Sequence, residues 1–384
     1  MKINRERLVS QMEQLAVYGA QANGGITRFA FSPEYKQAIQ YVQKLMEEAG
    51  LATHYDPVGN LIGVLAGEGR HKVLVGSHID TVKNGGKFDG AIGVIGAIEA
   101  VRTIREQKVA LKNDIYVCVY LDEEFTALGS KAMAGKPLEK STMEKLFQNG
   151  YTLEDVEKSK LPVSAEDYAL ELHIEQGKTL ESEKISIGVV DAILASYKYA
   201  GTVEGHTGHA GTLSMKMRDD AFAKMTDFTS AFYRKVVGYP DMVGTIGQVT
   251  VLPGARNIVP GRVEFLAEMR SPYTEDMEAV EDSLRNEYKD KGICLIRTEE
   301  YEAAHMHPDL KRIVEQVCEA GEIPYIHMNS GAGHDIQSFY KKAKCALIFI
   351  PSVNGASHCP EECTSWEDCE KGVNVLADTI AALG

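Results

Sequence analysis

The 384-residue sequence has little of what membrane, exported and nucleic-acid-binding proteins need. It holds no apolar run near the ~20 residues of a membrane span, and Met1 to Arg7 lack the apolar stretch of a signal peptide. Lysine and arginine number 41 against 55 acidic residues, a formal net charge of −14, and they form no basic cluster. We therefore expect a cytoplasmic protein that binds neither nucleic acid nor membranes.

Cysteine is also scarce, with seven residues scattered from Cys118 to Cys369. An odd, scattered set in a chain of this size does not make a disulfide framework and favours a reducing compartment. The local group Cys359, Cys363 and Cys369 lacks the paired Cys-x-x-Cys spacing of a zinc knot, so free thiols are the expected state.

The order of helical and strand patterns predicts an α/β protein with an inserted second domain, since the chain exceeds the roughly 250 to 300 residues of one core. Residues 1–198 and 305–384 alternate helices with apolar strands, which predicts a mixed, largely parallel sheet with helices on both faces. One of these helices is predicted at 335–342. Residues 199–304 show the order βαββαβ of a ferredoxin-like α+β module.

The first candidate site lies in the segment from Gly76 to Gly90, between an apolar strand and an apolar helix. It contains His78, Asp80 and Asp89, an imidazole and two carboxylates at a strand end, where α/β sheets build their sites. On this segment alone, a divalent-cation site and an ordinary polar turn are equally good interpretations.

Four further polar residues come at or near other strand ends. Glu123 and Glu124 follow the apolar strand 115–121, His173 lies in the strand that starts at Tyr168, and His358 follows the strand 345–350. Acidic doublets are usually solvated surface and strand histidines are usually structural, but their recurrence at strand ends favours one shared site. Three histidines and two carboxylates suffice for two zinc-type cations if one carboxylate bridges, and Asp80 is placed to orient His78.

With these motifs the chain resembles the dinuclear-metal peptidase M20 family, and most closely its amidase branch. That branch includes N-carbamoyl-L-amino-acid amidohydrolases, β-ureidopropionase and allantoate amidohydrolase. The resemblance spans nearly the whole chain in the family's order and is carried by Gly76–Val82, Phe88–Val94, Asp122–Glu124 with Gly129–Gly135, Glu171–Gly177, His209–Thr212 with Arg218–Ala221, Asn257–Gly261, Ser330–Asp335 and Ile350–His358.

The resemblance implies a dinuclear zinc exopeptidase-like fold whose inserted domain, 199–304, is a lid and homodimer interface. It implies two divalent cations per subunit, zinc by default with manganese, cobalt or nickel as alternatives. The implied metal ligands are His78, Asp89 as the bridge, Glu124, His173 and His358. The implied catalytic residues are Glu123 as general base, Asp80, which orients His78, and His209, which polarises the scissile carbonyl from its own subunit or the partner's. The implied substrate-binding residues are Gln176, His209, Asn257, Arg270 for a carboxylate, and Gly333.

The chain departs from the branch at three places. Phe125 follows Glu124 directly, where the branch usually reads Gly-x-Arg-Phe, so this wall of the site must be built differently. Glu268 stands where an aspartate commonly precedes the arginine by two residues. Tyr197 and Lys198 replace arginines of allantoate-type members, which favours a simpler N-carbamoyl amino acid.

The function expected from the resemblance is hydrolysis of a C–N amide bond in a carboxylate-bearing ureido acid, such as an N-carbamoyl-L-amino acid or allantoate. A metal-activated water would attack, with Glu123 as general base. An aminoacylase or dipeptidase is the alternative enzyme. A non-catalytic metal-binding dimeric scaffold is the alternative of another class, and Glu123 beside Glu124 argues against it, because a structural site has no use for a general base.

Overall fold

A computed structural model describes residues 1–383 of the chain. The α-helices of this range are α1 Arg5–Ala16, α2 Pro33–Glu48, α3 Ala91–Glu106, α4 Glu123–Thr126, α5 Leu128–Met133, α6 Lys140–Gln148, α7 Leu153–Lys158, α8 Thr179–Glu183, α9 Ala221–Val236, α10 Thr274–Tyr288, α11 Pro308–Ala320 and α12 Trp366–Leu383. The strands are β1 Ala52–Tyr55, β2 Leu61–Leu65, β3 Lys72–His78, β4 Asp114–Tyr120, β5 Tyr168–Ile174, β6 Ile187–Ile193, β7 Ala195–Glu204, β8 Gly208–His209, β9 Val243–Leu252, β10 Ile258–Val259, β11 Arg262–Ser271, β12 Ile293–Tyr301, β13 Ala304–His305, β14 Tyr325–Ser330 and β15 Lys344–Ile350.

The chain divides into two compact units. The first contains Met1–Asp191 and the chain from Met306 onward, and the second contains Ala192–His305. The sequence placed the first junction seven residues later, at 198/199, and the second at 304/305. The observed junctions differ because β7 begins at Ala195 and because the last residues of β6, Ala192 and Ile193, pair with β13.

The first unit is built on a mixed sheet in which the strands follow the order β1-β2-β4-β3-β5-β15-β6. The four central strands, β4, β3, β5 and β15, are parallel, and the outer pairs are antiparallel. This confirms the predicted α/β class with a largely parallel sheet. Because parallel strands end at the same edge, the segments after β3, β4, β5 and β15 meet there.

Helix α3 packs against β3 and β5, and also against α1 and α12. It is buried almost all round, which explains its continuous apolar sequence. Two glycines permit this packing. A Cβ at Gly90, where φ is +62°, would lie 2.4 Å from His78 Nε2, and a Cβ at Gly93 would lie 2.4 Å from the Leu172 carbonyl oxygen.

The second unit contains an antiparallel four-stranded sheet in the order β12-β7-β11-β9. In chain order these are the fourth, first, third and second strands, which is the arrangement of the split βαβ module. Helices α9 and α10 pack on the sheet and bury an aromatic cluster that includes Phe228, Phe232, Phe265 and Tyr288.

One secondary-structure prediction was wrong, and one strand of the first unit was not predicted. The sequence analysis missed β6, and the helix predicted at 335–342 is only a 3-10 turn, Asp335–Ser338. There the Glu171 carboxylate accepts the Ile336 N–H at 2.9 Å, and the Phe339 N–H donates to the Ile336 carbonyl oxygen at 2.9 Å, an i→i+3 bond that closes the 3-10 turn.

No helix in residues 1–383 is long and apolar enough to cross a membrane. All seven cysteines are free, as expected. Cys369 is buried, Cys359 is half-buried and Cys363 is exposed.

Candidate metal centre

The candidate ligands meet at the carboxyl-end edge of the central parallel strands. His78 is the last residue of β3 and His173 lies one residue before the end of β5. Glu124 lies in α4, directly after β4, and His358 lies in the loop after β15. The parallel sheet therefore brings together residues that are up to 280 positions apart in the sequence, from 78 to 358.

Asp89 is the centre of this cluster and contacts three histidines. Its Oδ1 lies 3.0 Å from His173 Nε2 and 3.7 Å from His78 Nε2, while its Oδ2 lies 3.1 Å from His358 Nε2. Glu124 Oε2 lies 3.4 Å from the same His358 nitrogen. The potential ligands thus form two groups, His78–Asp89–His173 and Asp89–Glu124–His358, which share Asp89.

The donor set fits divalent cations of the zinc type. Imidazole nitrogens and carboxylate oxygens are their usual ligands, and a shared carboxylate between two groups is what a bridged pair requires. Within each group, the ligand atoms lie within 4.8 Å of one another. His78 and His173 are buried, whereas the His358 side chain is 51% exposed.

The pKa shifts of the acidic residues also favour a divalent cation in this cluster. Burial raises the pKa of Glu123 well above its usual value, and the charges of Asp335 and Glu124 raise it further. Burial and the charge of Asp89 raise the pKa of Glu124 to about 8. Crowded carboxylates of this kind repel one another, and a divalent cation held among them would relieve that repulsion.

The pKa values of Asp89 and of the histidines around it are also shifted. Burial opposes the charge on Asp89, but hydrogen bonds with His173 and His358 outweigh it and hold the pKa of that carboxyl well below its usual range. Burial opposes the charge on His173, yet its contact with Asp89 raises the pKa of the imidazole to about 9. Burial lowers the pKa of His78 to about 4.

A left-handed residue, Asp122 with φ +60°, turns the chain from β4 into α4 and so presents the acidic doublet. Asp80 holds the backbone of this doublet by hydrogen bonds. Its two carboxylate oxygens accept the N–H groups of Glu123 and Glu124 at 3.3 and 3.2 Å. Glu123 Oε2 lies 3.6 Å from His78 Nε2 and belongs to neither ligand group.

The contact between Asp80 and His78 differs in detail from the prediction. The nearer partner of His78 Nδ1 is the backbone oxygen of Asp80, at 3.1 Å, while the carboxylate Oδ1 lies 3.8 Å away. His173 is held similarly, with its Nδ1 2.8 Å from the Ile174 carbonyl oxygen. In both rings a Nδ1–H donated to a carbonyl would leave Nε2 to face Asp89.

Of the predicted substrate-binding residues in the first unit, Gln176 lies at the cluster and Gly333 lies in an exposed loop. Gln176 has φ +57°, and its Nε2 donates to Asp89 Oδ2 and to Ser357 Oγ, both at 2.9 Å. Gly333 precedes His334, whose ring lies 4.5 Å from the His173 ring, centroid to centroid.

Several residues of the cluster were missed in the sequence analysis. Glu171 and His334 form a third buried group with His173, and Glu362 accepts the N–H groups of Phe88 and Asp89 at 2.9 and 3.0 Å. His334 lay within a motif block and was detectable as a histidine after a glycine-rich loop. Glu362 carries no such signal, because it lies outside the motif blocks and does not directly follow a strand.

The remaining predicted residues lie in the second unit. His209 pairs with Ile258 in the short β8–β10 ladder, and the next N–H, of Ala210, donates to the Asn257 carbonyl oxygen at 3.0 Å. His209 and Asn257 are therefore close neighbours, and both are exposed.

Arg270 lies on β11, and its Nη2 lies 2.9 Å from Glu268 Oε1. Glu268, which departs from the family pattern, thus still makes the carboxylate contact to this arginine. Two more of the departing residues also lie in the second unit. Tyr197 is buried under the Arg297 guanidinium, 3.8 Å from the ring centroid, and Lys198 pairs with Glu299 at 2.7 Å.

Comparison with known proteins gives consistent matches over the whole length. The sequence profile described as peptidase family M20/M25/M40 matches residues 74–382. The N-carbamoyl-L-amino acid amidohydrolase of Geobacillus stearothermophilus is 34% identical over 402 residues, covering 98% of each chain. The allantoate amidohydrolase of Escherichia coli (strain K12) is 35% identical over 400 residues, 97% of this chain and 96% of that one. A solved amidase of the hydantoinase/carbamoylase family from Burkholderia multivorans matches with a TM-score of 0.88 at 28% identity, covering 100% of this chain and 98% of that chain.

Proposed function

The chain belongs to peptidase family M20/M25/M40, and from this premise we propose that it is a metal-dependent amidohydrolase of ureido acids. It is a hydrolase of C–N bonds other than peptide bonds, and the proposed substrates are N-carbamoyl-L-amino acids or allantoate, on which named relatives act. Family membership and the clustered ligands indicate divalent metal binding. Two zinc ions per subunit, with manganese, cobalt or nickel as substitutes, are part of the proposal.

The observation that carries this proposal is Asp89 shared between two ligand groups, with Glu123 beside them in neither group. His78 and His173 would hold one cation with Asp89, and Glu124 and His358 the other. When bound, such cations lower the pKa of a water molecule from ~15.7 to about 7, which provides hydroxide at neutral pH.

Glu123 has the position that a general base needs. Its side chain is 15% exposed, its backbone is fixed by Asp80, and its carboxylate faces His78 without completing a ligand group. We assign it the removal of a proton from the attacking water and the return of that proton to the leaving nitrogen. The scissile bond joins the carbamoyl carbon to the amino nitrogen, and the carbamic acid released decomposes to ammonia and carbon dioxide.

Gln176, Gly333 and residues of the second unit would bind the substrate. His209 and Asn257 lie side by side on exposed backbone and carry a donor and an amide suited to a polarised carbonyl oxygen. Arg270 offers a planar guanidinium to the substrate carboxylate, and its contact with Glu268 fixes its orientation.

Replacing Arg270 by alanine is expected to raise KM for carboxylate-bearing substrates by roughly 10- to 100-fold, since a charged hydrogen-bonded contact of about 1.5 to 3 kcal/mol is lost. Lysine at this position should restore little, because it cannot bind a carboxylate with two parallel bonds. Steady-state kinetics on an N-carbamoyl amino acid and on its neutral amide test this. Equal losses for both compounds would remove Arg270 from carboxylate binding.

We also propose that the protein forms a homodimer through the second unit. Strand β9 is the last strand in the order of its sheet, so one side of its backbone is open to pairing. The Ile246 N–H donates to the Tyr233 hydroxyl at 3.1 Å, which joins β9 to α9. The two elements, with Val237 directly after α9, expose a set of large apolar side chains, Phe222, Tyr233, Val237, Val243, Val249 and Leu252.

A panel of substrates tests the proposed activity directly. The protein is loaded with zinc or manganese and assayed for ammonia release from N-carbamoyl-L-amino acids and allantoate. Amino acid release from N-acyl amino acids and dipeptides is measured in parallel. Ammonia from the ureido compounds, abolished by a chelator, is the expected result. Turnover of acyl compounds alone would favour an aminoacylase or dipeptidase, and bound metal without any turnover would favour a scaffold.

A further inference from the structure

Arg28 is a buried cation whose side-chain hydrogen bonds all go to backbone oxygens. Its side chain belongs to a residue that is 1% exposed, yet it forms no ion pair among the described residues. Nε donates to the Ile79 carbonyl oxygen at 2.6 Å, and Nη1 donates to the Leu15 and Tyr18 carbonyl oxygens at 3.0 and 2.9 Å. A buried charge without a contacting counter-charge is costly, so its presence calls for a role.

The guanidinium holds the turn that links His78 to Asp80. Ile79, whose carbonyl it binds, is the one residue between them. Two hydrogen bonds of the Arg28 backbone also hold this segment. The Arg28 N–H donates to Thr81 Oγ1 at 2.9 Å, and the Thr81 N–H donates to the Arg28 carbonyl oxygen at 3.1 Å. Arg28 therefore fixes residues 79–81 through both its side chain and its backbone.

Through Asp80, residues 79–81 hold the acidic doublet, Glu123 and Glu124, in place. Asp80 is fully buried, and each of its carboxylate oxygens accepts one backbone N–H, from Glu123 and from Glu124. A shift of Asp80 would consequently move the proposed base and a proposed ligand together, and would change the backbone contact to His78 Nδ1.

The charges of Arg28 and Asp80 also compensate each other. Burial lowers the pKa of Arg28 to about 10, and the negative charge of Asp80 is the main effect that opposes this lowering. The negative charge of Asp80 thus favours the charged form of the buried Arg28.

We infer that Arg28 is a positioning residue for the metal centre, holding the 79–81 turn so that Asp80 keeps Glu123 and Glu124 in place against His78. The inference rests on the proposed function, because it assumes that these residues bind cations. It assigns to Arg28 an effect on metal affinity that its burial alone would not produce.

Metal affinity of the folded protein is the direct test. Protein depleted of metal is titrated with zinc against a chromophoric chelator, for the wild type and for Arg28→Lys. Lysine retains the positive charge but cannot reach three carbonyl oxygens in fixed directions. The affinity of Arg28→Lys is expected to fall about 10- to 100-fold, the usual effect of losing a group that orients a ligand.

Arg7→Lys serves as the matched control. Arg7 is half-buried, with a side chain that is 17% exposed, and it joins α1 to α3 through Glu99, 2.5 Å from its Nε, away from the ligands. This variant should lose stability without losing zinc affinity. Equal zinc affinities for Arg28→Lys and Arg7→Lys would overturn the inference, whereas a wild type that binds no zinc would overturn the proposed function first.

A second measurement tests the charge pairing independently of metal. Arg28→Met leaves the charge of Asp80 uncompensated, so the metal-free variant should unfold at a lower temperature than Arg28→Met combined with Asp80→Asn. In the Asp80→Asn protein, adding Arg28→Lys should lower the zinc affinity by less than a further threefold. Full additivity of the two substitutions in both measurements would show that Arg28 acts without Asp80 and would overturn the inference.

Discussion

Replacing Glu123 by glutamine is expected to lower kcat by about 10²- to 10⁴-fold while the protein keeps its bound cations. Glutamine has nearly the shape of glutamate but cannot accept the proton of the attacking water. Glu123 belongs to neither ligand group, and its nearest ligand contact is 3.6 Å, to His78 Nε2. Metal content by elemental analysis and kcat on an N-carbamoyl amino acid measure the two effects separately.

The neighbouring glutamate supplies the control. Glu124→Gln makes the same chemical change one residue later, but it removes a carboxylate that lies 3.4 Å from His358 in a ligand group. That variant should lose one cation and should regain some activity at high metal concentration, which Glu123→Gln should not. Loss of metal from Glu123→Gln instead would mean that the roles of the two glutamates are reversed.

Two inactive variants are expected to regain activity when they form a mixed dimer. If His209 serves the partner's site, a dimer of one Glu123→Gln chain and one His209→Ala chain has both substitutions in one site and neither in the other. Random re-association of equal amounts should then recover about a quarter of wild-type activity, because half of the dimers are mixed and each has one intact site. The exposed position of His209 on β8 is compatible with such sharing.

The control for this experiment is each variant dissociated and re-associated alone, which should remain inactive. Differently tagged chains allow the mixed dimer to be isolated before the assay. An isolated mixed dimer without activity would show that each chain uses its own His209. A fully active monomer would exclude sharing altogether.

The ligand cluster could be predicted because it follows a rule of sheet geometry. Apolar runs marked β3, β4, β5 and β15 as buried strands, and the residues at their carboxyl ends, such as His78 and His358, had to meet at one edge once the strands were parallel. The resemblance then assigned roles to these residues. Neither the strand-end rule nor the resemblance identifies side chains that act by binding the backbone of another segment.

The roles of Arg28 and Glu362 could not be predicted from the sequence. Each binds the backbone of a ligand-bearing segment that is far away in the chain, 51 positions for Arg28 to Ile79 and 273 for Glu362 to Asp89. Such contacts leave no periodicity and no spacing in the sequence. The helix expected at 335–342 forms only a short 3-10 turn, in which the Phe339 N–H donates to the Ile336 carbonyl oxygen at 2.9 Å.

The place of β15 has a consequence for the order in which the molecule is made. On the ribosome, residues 1–191 emerge first, but β5 and β6 then lack the strand that belongs between them. The second unit is one continuous segment, so it can fold while synthesis continues. Until β15 emerges, the nascent first unit keeps an open strand edge, which invites wrong pairing and calls for chaperone protection. Because His358 follows β15, the Asp89–Glu124–His358 group is complete only in a nearly finished chain, whereas His78, Asp89 and His173 are all present once β5 has been made.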